Sequence, residues 1–446
     1  MSDHNLTGWR LTLFALINAS LTAALFPVTA YLPNYYAEQG GLGLAVAGAV
    51  FTFARIWNGL SDPLVGWLSD NTRTRFGRRK PWIVAGGPLY LIATFALFWP
   101  PENPGGWYLG IWMFLFYLGW TMVAIPLYAW SGELADGYHE RSRVQAYLQI
   151  SAALGLLLVL LLPAVVDWLG VTPPDMKLQV MGGFIALTLV LGMLALMTFR
   201  EPAPKAKPAQ PASEAWYRSV ARLFADPLVA RVMASDFSVS FGQGVRAALM
   251  LFFFNTYAGL PQWASTLFLV QFVAGVFAAP LWLRVSYRLG KSRTVIVAEM
   301  LQVGINLGLL AVGRGDLALL LTLTVVQGLA QSSGNLMLRA LVADVADVQR
   351  EKQGRERGGV LFSVFTLTQN LGMAAAVAVT FPLLAWFGFA PGKANDAHAL
   401  EALAWLFALG PALGHAISAW LVKGFPLDAA RRPPERSAAL PLPSGS

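Results

Sequence analysis

The chain has 446 residues, 56% of them hydrophobic and only 13% charged, with a mean hydropathy of +0.54. A soluble globular chain is about one quarter charged, so this composition excludes an ordinary water-soluble domain and points to repeated apolar spans of roughly 20 residues, the length that crosses a bilayer. The net charge of +8 would suggest nucleic acid in a soluble protein, but here the bases lie in short loops between apolar spans and membrane orientation accounts for them, while the lack of cysteine removes disulfides, thiol catalysis and cysteine metal sites.

Taken in chain order, twelve spans are predicted at approximately 11–37, 44–69, 81–100, 107–130, 144–168, 178–199, 231–257, 262–287, 294–313, 316–342, 358–388 and 399–422. The N-terminus, MSDHNLTGWR, lacks the basic start and small-residue cleavage site of a secretory signal, so the first span is expected to stay as a helix. That span carries Asn18 and Thr22 as polar candidates.

The second span is the most informative. FARIWNGLSDPLVGWLSDNTRTRFGRRKPW, from Phe53 to Trp82, keeps an acid, Asp62, beside Pro63 inside an apolar run and leaves through Asp70 into Arg73, Arg75, Arg78, Arg79 and Lys80. A carboxylate at membrane depth is costly and by default functional. Asn58 lies four residues before Asp62, on the same helix face. Asp62 either binds a coupling ion beside a cavity, or orients a partner helix and satisfies donors freed by Pro63.

The fourth and fifth spans supply Tyr117, Trp120 and Tyr128, whose rings could stack on a sugar, and Gln145 and Gln149. The segment EPAPKAKPAQPAS after Arg200 cannot pack a core and suits a semi-rigid linker, so residues 1–199 and 231–425 are expected to form two halves joined by 200–230, with a disordered tail at 426–446. The seventh span offers Asp236, Ser240, Gln243 and Arg246. Asp236 reads as a charge near the entry; Arg246 lies deeper and needs a partner, Asp62 across the halves being one, or an anionic ligand. Glu299 reads as an edge residue of the ninth span, which also holds Asn306. In the tenth span Gln327, Gln331, Asn335 and Arg339 recur every four residues and make a polar stripe, either contacting a polyhydroxylated solute or gluing helices together. Gln369 and Asn370 in the eleventh span carry the same two readings, and His415 in the twelfth reads as structural.

Arg55, Arg246 and Arg339 lie within spans, and Lys177, Arg314 and Lys393 in the loops on one side. Every other Lys and Arg falls in the loops or span edges of the opposite side, or in the termini. This asymmetry places both termini in the cytoplasm of a bacterial-type inner membrane. The halves also echo each other. RFGRRK follows the second span and RLGKSR (Arg288 to Arg293) the eighth, and each comes after a helix with an internal proline, Pro63 or Pro280. Such parallel half-repeats describe an all-α membrane protein of the major facilitator fold, with twelve transmembrane helices in two six-helix halves.

The run ARIWNGLSDPLVGW followed by TRTRFGRRKPW resembles the glycoside–pentoside–hexuronide:cation symporter family, to which melibiose permease belongs. AIPLYAWSGEL with ERSR, and ADVADVQ with GRERGG, resemble its fourth helix and its junction of helices 10 and 11, so the similarity covers about residues 10 to 425. The resemblance implies sugar uptake driven by sodium or protons, with Asp70, Arg78, Arg79, Glu133, Arg141 and Asp344 closing the cytoplasmic side. It also exposes departures. Of four acids that sodium-coupled members carry, only Asp62 remains; the others align with Asn58, Ala124 and, less securely, Thr22. Two family bases align with Gln149 and Gln369. Sodium prefers several hard oxygen ligands, and a lone carboxylate suits a proton better, so a proton is favoured over sodium at Asp62 and Asn58, and no other cofactor or metal is expected.

The expected unit is a monomer in the lipid bilayer moving a small-molecule solute by alternating access. No phosphate-cradling G-x-x-x-x-G-K-[ST] occurs, and no catalytic constellation stands out, so an enzyme is not expected. A non-sugar solute such as a lysolipid or a lipophilic or acidic glycoside, uncoupled facilitation, and a non-transporting assembly or sensing protein stay open as alternatives.

Overall fold

A computed structural model describes residues 7–134, 138–170, 173–199, 201, 226–353 and 358–425. The segments 202–225 and 426–446, expected above to be linker and tail, lie outside the described residues. Among the described residues there are twelve long helices: α1 (Gly8–Glu38), α2 (Gly43–Asn71), α3 (Lys80–Phe98), α4 (Gly106–Glu133), α5 (Tyr138–Trp168), α6 (Pro174–Met197), α7 (Pro227–Tyr257), α8 (Ala264–Leu289), α9 (Lys291–Gly308), α10 (Leu317–Gln353), α11 (Gly358–Trp386) and α12 (Ala397–Val422). Among the described residues eleven spans are long and apolar enough to cross a membrane, and α10 adds the apolar stretch Leu317–Gln331. This is the major facilitator fold.

Two helices bend in the same way. α1 passes through a π-helical turn at Pro27–Tyr31 and α7 through one at Phe253–Tyr257. In α1, Pro27 supplies no N–H to the ladder, and a π turn absorbs such a gap; α7 has no proline there, and the turn is built from Phe253, Phe254, Asn255, Thr256 and Tyr257.

The halves meet through α2 against α11 and α5 against α8, contacts that exchange with one another when the halves are exchanged, and through α1 against α7. One end of the bundle carries the basic loop Arg73–Lys80; the other, here the neutral end, carries the turns at Gly40–Gly41, Gly259 and Gly388. One apolar core runs through the N-terminal half and on into the neutral-end parts of the C-terminal half, including Phe252, Phe253, Phe254, Phe381 and Phe407. The basic end of the C-terminal half has its own core, with Val232, Val295, Leu338, Leu341 and Val422. Among the described residues the two halves share a core at the neutral end. Lipid tails give helices little hydrophobic reason to associate, so close approach at small residues matters. Gly328 of α10 is such a contact: a Cβ there would fall 2.2 Å from the Gln271 carbonyl oxygen of α8.

Candidate functional site

A cavity of about 550 Å³ lies between the halves. Its wall is contributed by Thr22, Phe26 and Thr29 of α1, Leu156 and Leu160 of α5, Gln243, Arg246 and Met250 of α7, Phe268, Gln271 and Phe272 of α8, Gln327, Gly328 and Gln331 of α10, Met373 of α11 and His415 of α12. Phe26 packs edge-on against Phe268, ring centroids 4.6 Å apart. Beyond these rings Tyr31 Oη donates to Ser265 Oγ (3.0 Å) and Asn34 Nδ2 to the Ala248 carbonyl (3.2 Å). Both bonds join the halves at the neutral end, so the cavity is sealed on that side.

Of the ten residues expected to contact solute, the cavity brings together Thr22, Gln243, Arg246 and Gln331. Arg246 is 4% exposed; its Nη1 donates to Asn306 Oδ1 (3.1 Å) and its guanidinium lies 5.3 Å from the centre of the Phe407 ring. Asp62, one of the partners open to it, is not the one it takes: Asn306 of α9 reaches it inside the same half. Arg246 Nε and Nη2 have no hydrogen-bond partner among the described residues, nor do Gln271 Oε1 and Gln327 Oε1. Gln271 Nε2 donates to Gln331 Oε1 (2.7 Å), aided by the close approach of α8 to α10. Thr22 turns its hydroxyl onto its own helix, donating to the Asn18 carbonyl (2.9 Å).

The remaining candidates sit elsewhere. Asn18 Nδ2 donates to the Leu148 carbonyl (2.9 Å) and its Oδ1 accepts from Tyr128 Oη (2.9 Å), while Trp120 Nε1 donates to the Leu21 carbonyl (3.1 Å). These three bond helices within the N-terminal half. Gln149 is exposed and is not part of the cavity wall. Gln369 Nε2 donates to Asp236 Oδ1 (3.3 Å), and Asp236, expected near a surface, is 1% exposed. The side chains of Asn335, Glu133, Arg141 and Asp344 lie outside the described residues.

Asp62 stands between α2 and α4, half-buried. Thr121 Oγ1 donates to Asp62 Oδ1 at 2.8 Å, and Asn58 Nδ2 to the same oxygen at 3.4 Å. Ser61 Oγ donates to the Asn58 carbonyl (3.0 Å) and lies 3.2 Å from Thr121 Oγ1. Thr121 and Ser61 were not singled out in the sequence; a lone hydroxyl in LGWTMVAIP three residues before Ala124 was the available signal. Arg55, on the same face about two turns before Asp62, donates to Thr29 Oγ1 in the cavity wall and lies 5.9 Å from the centre of the Tyr117 ring.

The Glu299–His415 pairing and the role of Glu201 escaped the sequence reading. Glu299, read as an edge residue, is 1% exposed and paired with His415 Nδ1, itself 2% exposed. At the basic end, Arg79 Nη2 bridges to Asp70 Oδ1 (3.2 Å), and the backbone N–H groups of Arg79 and Lys80 donate to the Glu201 carboxylate (3.0 and 3.1 Å). Gly77 (φ +110°) makes room for that carboxylate, since a Cβ there would fall 2.1 Å from Glu201 Oε2. Arg78 is half-buried in the same loop.

The family model described as MFS/sugar transport protein matches residues 13–429. The isoprimeverose transporter of Lactiplantibacillus pentosus is 23% identical over 420 residues, covering 90% of this chain and 85% of its own. The glucuronide carrier protein homolog of Escherichia coli (strain K12) is also 23% identical, over 396 residues, covering 85% and 84%. A crystal structure of a D-xylose–proton symporter superposes with a TM-score of 0.67 at 16% identity, covering 94% of this chain and 97% of that one.

Proposed function

We propose, on the premise that this chain belongs to the MFS/sugar transport protein family, that it is a proton-coupled symporter of a sugar or glycoside. That it is a secondary transporter, and of the glycoside/cation symporter type, follows from the family and its symporter relatives. The sugar and the proton are our reading. The observation that carries the sugar is the cavity wall. Arginine and glutamine side chains with unpartnered polar atoms sit beside Phe26, Phe268 and Phe272, and a sugar ring presents the matching combination of hydroxyl edge and apolar face.

The proton reading rests on Asp62. Its Oδ1 receives both donors, from Thr121 and Asn58. A hard cation wants converging oxygen acceptors; these neighbours turn donors toward the carboxylate, and a proton needs only Oδ2. Among the described residues no group of three or more His, Cys, Asp or Glu gathers to hold a metal ion. With the basic end in the cytoplasm of an inner membrane, both termini are cytoplasmic and the structure is the inward-facing state of an alternating-access cycle, sealed outward by Phe26, Phe268 and Tyr31.

The test is Asp62→Asn in proteoliposomes with an imposed pH gradient, with isoprimeverose and a methyl glucuronide as probes. Accumulation above equilibrium should be lost while exchange down the solute gradient persists; accumulation that survives the substitution refutes coupling at Asp62. Arg246 favours an acidic glycoside as the second reading, because its buried Nε and Nη2 await an acceptor. A lipid path is less well supported. The apolar groove of about 710 Å³ formed by Val46, Phe53, Trp57, Trp107 and Phe114 shares no residue with the central cavity.

A further inference from the structure

The buried pair Glu299 and His415 is not used in the mechanism above, and its placement is unusual for a structural contact. Glu299 Oε2 engages His415 Nδ1, and both side chains are at least nine-tenths buried in the membrane-spanning part of the C-terminal half. His415 lines the central cavity while Glu299 stands behind it on α9. With Nδ1 engaged by Glu299, Nε2 is the ring nitrogen left for the cavity. One turn along α9, Gln302 is 2% exposed and neither of its amide atoms has a partner among the described residues. Two turns from Glu299 on the same helix, Asn306 accepts from Arg246. A histidine–carboxylate pair with one face on an aqueous cavity is the arrangement that moves protons.

The surrounding charges are few. α7 contributes Arg246, buried above the pair, and Asp236, which bonds Gln369. α10 contributes Arg339 among its described side chains, exposed. α8 contributes Arg284, Tyr287 and Arg288, all exposed at the basic end. α11 contains no titratable residue. On α12 itself His398 and Glu401 lie in the first turns at the neutral end, and on α9 Lys291 and Arg293 lie in the first turn at the basic end. Arg246 is a buried charged group that shares the cavity wall with His415, and an added proton changes the net charge of the Glu299–His415 pair by one.

We propose that Glu299 and His415 form a second exchangeable proton site, belonging to the C-terminal half and opening to the cavity through His415. Loading takes a proton at His415 Nε2 from cavity water while the Nδ1 proton passes to Glu299 Oε2; the pair gains one proton, the imidazole stays neutral in the other tautomer, and reversal releases it. The inference rests on the reading that the coupling ion is a proton.

The chain has four histidines, so the ¹⁵N imidazole resonances of the purified full-length protein can be assigned by the one lost in His415→Gln. Across roughly pH 5 to 9, the window in which histidine ordinarily responds, the His415 resonances should move with pH. Glu299→Gln should shift the midpoint or abolish the movement, and Asp62→Asn should leave it unchanged. Resonances fixed across the range, or a midpoint identical in Glu299→Gln, overturn the proposal. If Glu299→Gln does not fold, Glu299→Asp retracts the carboxylate by one methylene, and an unchanged midpoint there overturns it equally. A silent His415 alongside an uncoupled Asp62→Asn removes this site alone. A responsive His415 alongside undiminished accumulation in Asp62→Asn removes the Asp62 reading alone.

Discussion

In the N-terminal half the acid at membrane depth, Asp62, is half-buried and held by a hydroxyl and an amide. In the C-terminal half Asp236, Arg246, Glu299 and His415 are each at least nine-tenths buried, and each bonds a side chain of that same half. Both halves use the same bends in α1 and α7 and the same exchange of contacts, so the backbone repeat is kept while the charges are divided unequally. A half-exposed carboxylate with neutral neighbours can change its charge at small cost to packing. Buried charges tied to one another resist change unless a ligand or a proton enters with them. On the proposed reading the first half holds the coupling carboxylate Asp62, and the second holds most of the solute contact together with the Glu299–His415 pair.

The strongest way to break that division is Arg246→Met. It removes a charged donor from the cavity and leaves Asn306 Oδ1 without it; a lost hydrogen bond to a charged group is worth about 1.5–3 kcal/mol, which predicts a 10- to 100-fold weaker apparent affinity in equilibrium exchange of a transported glycoside, with proton-independent folding intact. An unchanged affinity would place the solute away from α7. Gly328→Val comes next. Its side chain meets the Gln271 carbonyl, and forcing α8 off α10 should cost about 1–3 kcal/mol, read as a lower thermal unfolding temperature in detergent and a weakened Gln271–Gln331 contact. A variant as stable as the parent would show that the two helices do not need this approach.

Tyr31→Phe has the smallest effect. Loss of its bond to Ser265 should weaken the neutral-end seal by about 1 kcal/mol, roughly a five-fold shift toward the outward-open state. Because the chain has no cysteine, labelled cysteine pairs can be introduced across the neutral end without background, and their distance distribution should gain the longer population. An unaltered distribution would assign the seal to Phe26, Phe268 and the Asn34 bond to the Ala248 carbonyl.

The number and order of helices were legible because each needs a long apolar run. Asp62 was legible because an acid beside a proline inside such a run has no cheap explanation. What escaped was pairing across sequence distance. Glu299 and His415 are 116 residues apart and Asp236 and Gln369 133 apart. Each acid lies only a few turns from a helix end, so hydropathy alone made it an edge charge; only the packing of α9 on α12 and of α7 on α11 shows it to be internal. Asp62, one of the partners open to Arg246, is not the one it takes, for a related reason: no sequence pattern says which helix supplies that partner, and α9 supplies Asn306. In the basic loop Asp70 and Arg79 were singled out and do pair, while Glu201 supplies a carboxylate that a proline-rich context had hidden.

The most direct test of the central claim is external pH in a weakly buffered suspension of de-energised cells as isoprimeverose, D-xylose and a methyl glucuronide are added one at a time to cells carrying the wild-type protein or Asp62→Asn. The account predicts alkalinisation with at least one compound in the wild type and none in Asp62→Asn. Uptake of labelled compound to equilibrium by the wild type without any pH change would contradict proton symport and leave a facilitator in its place.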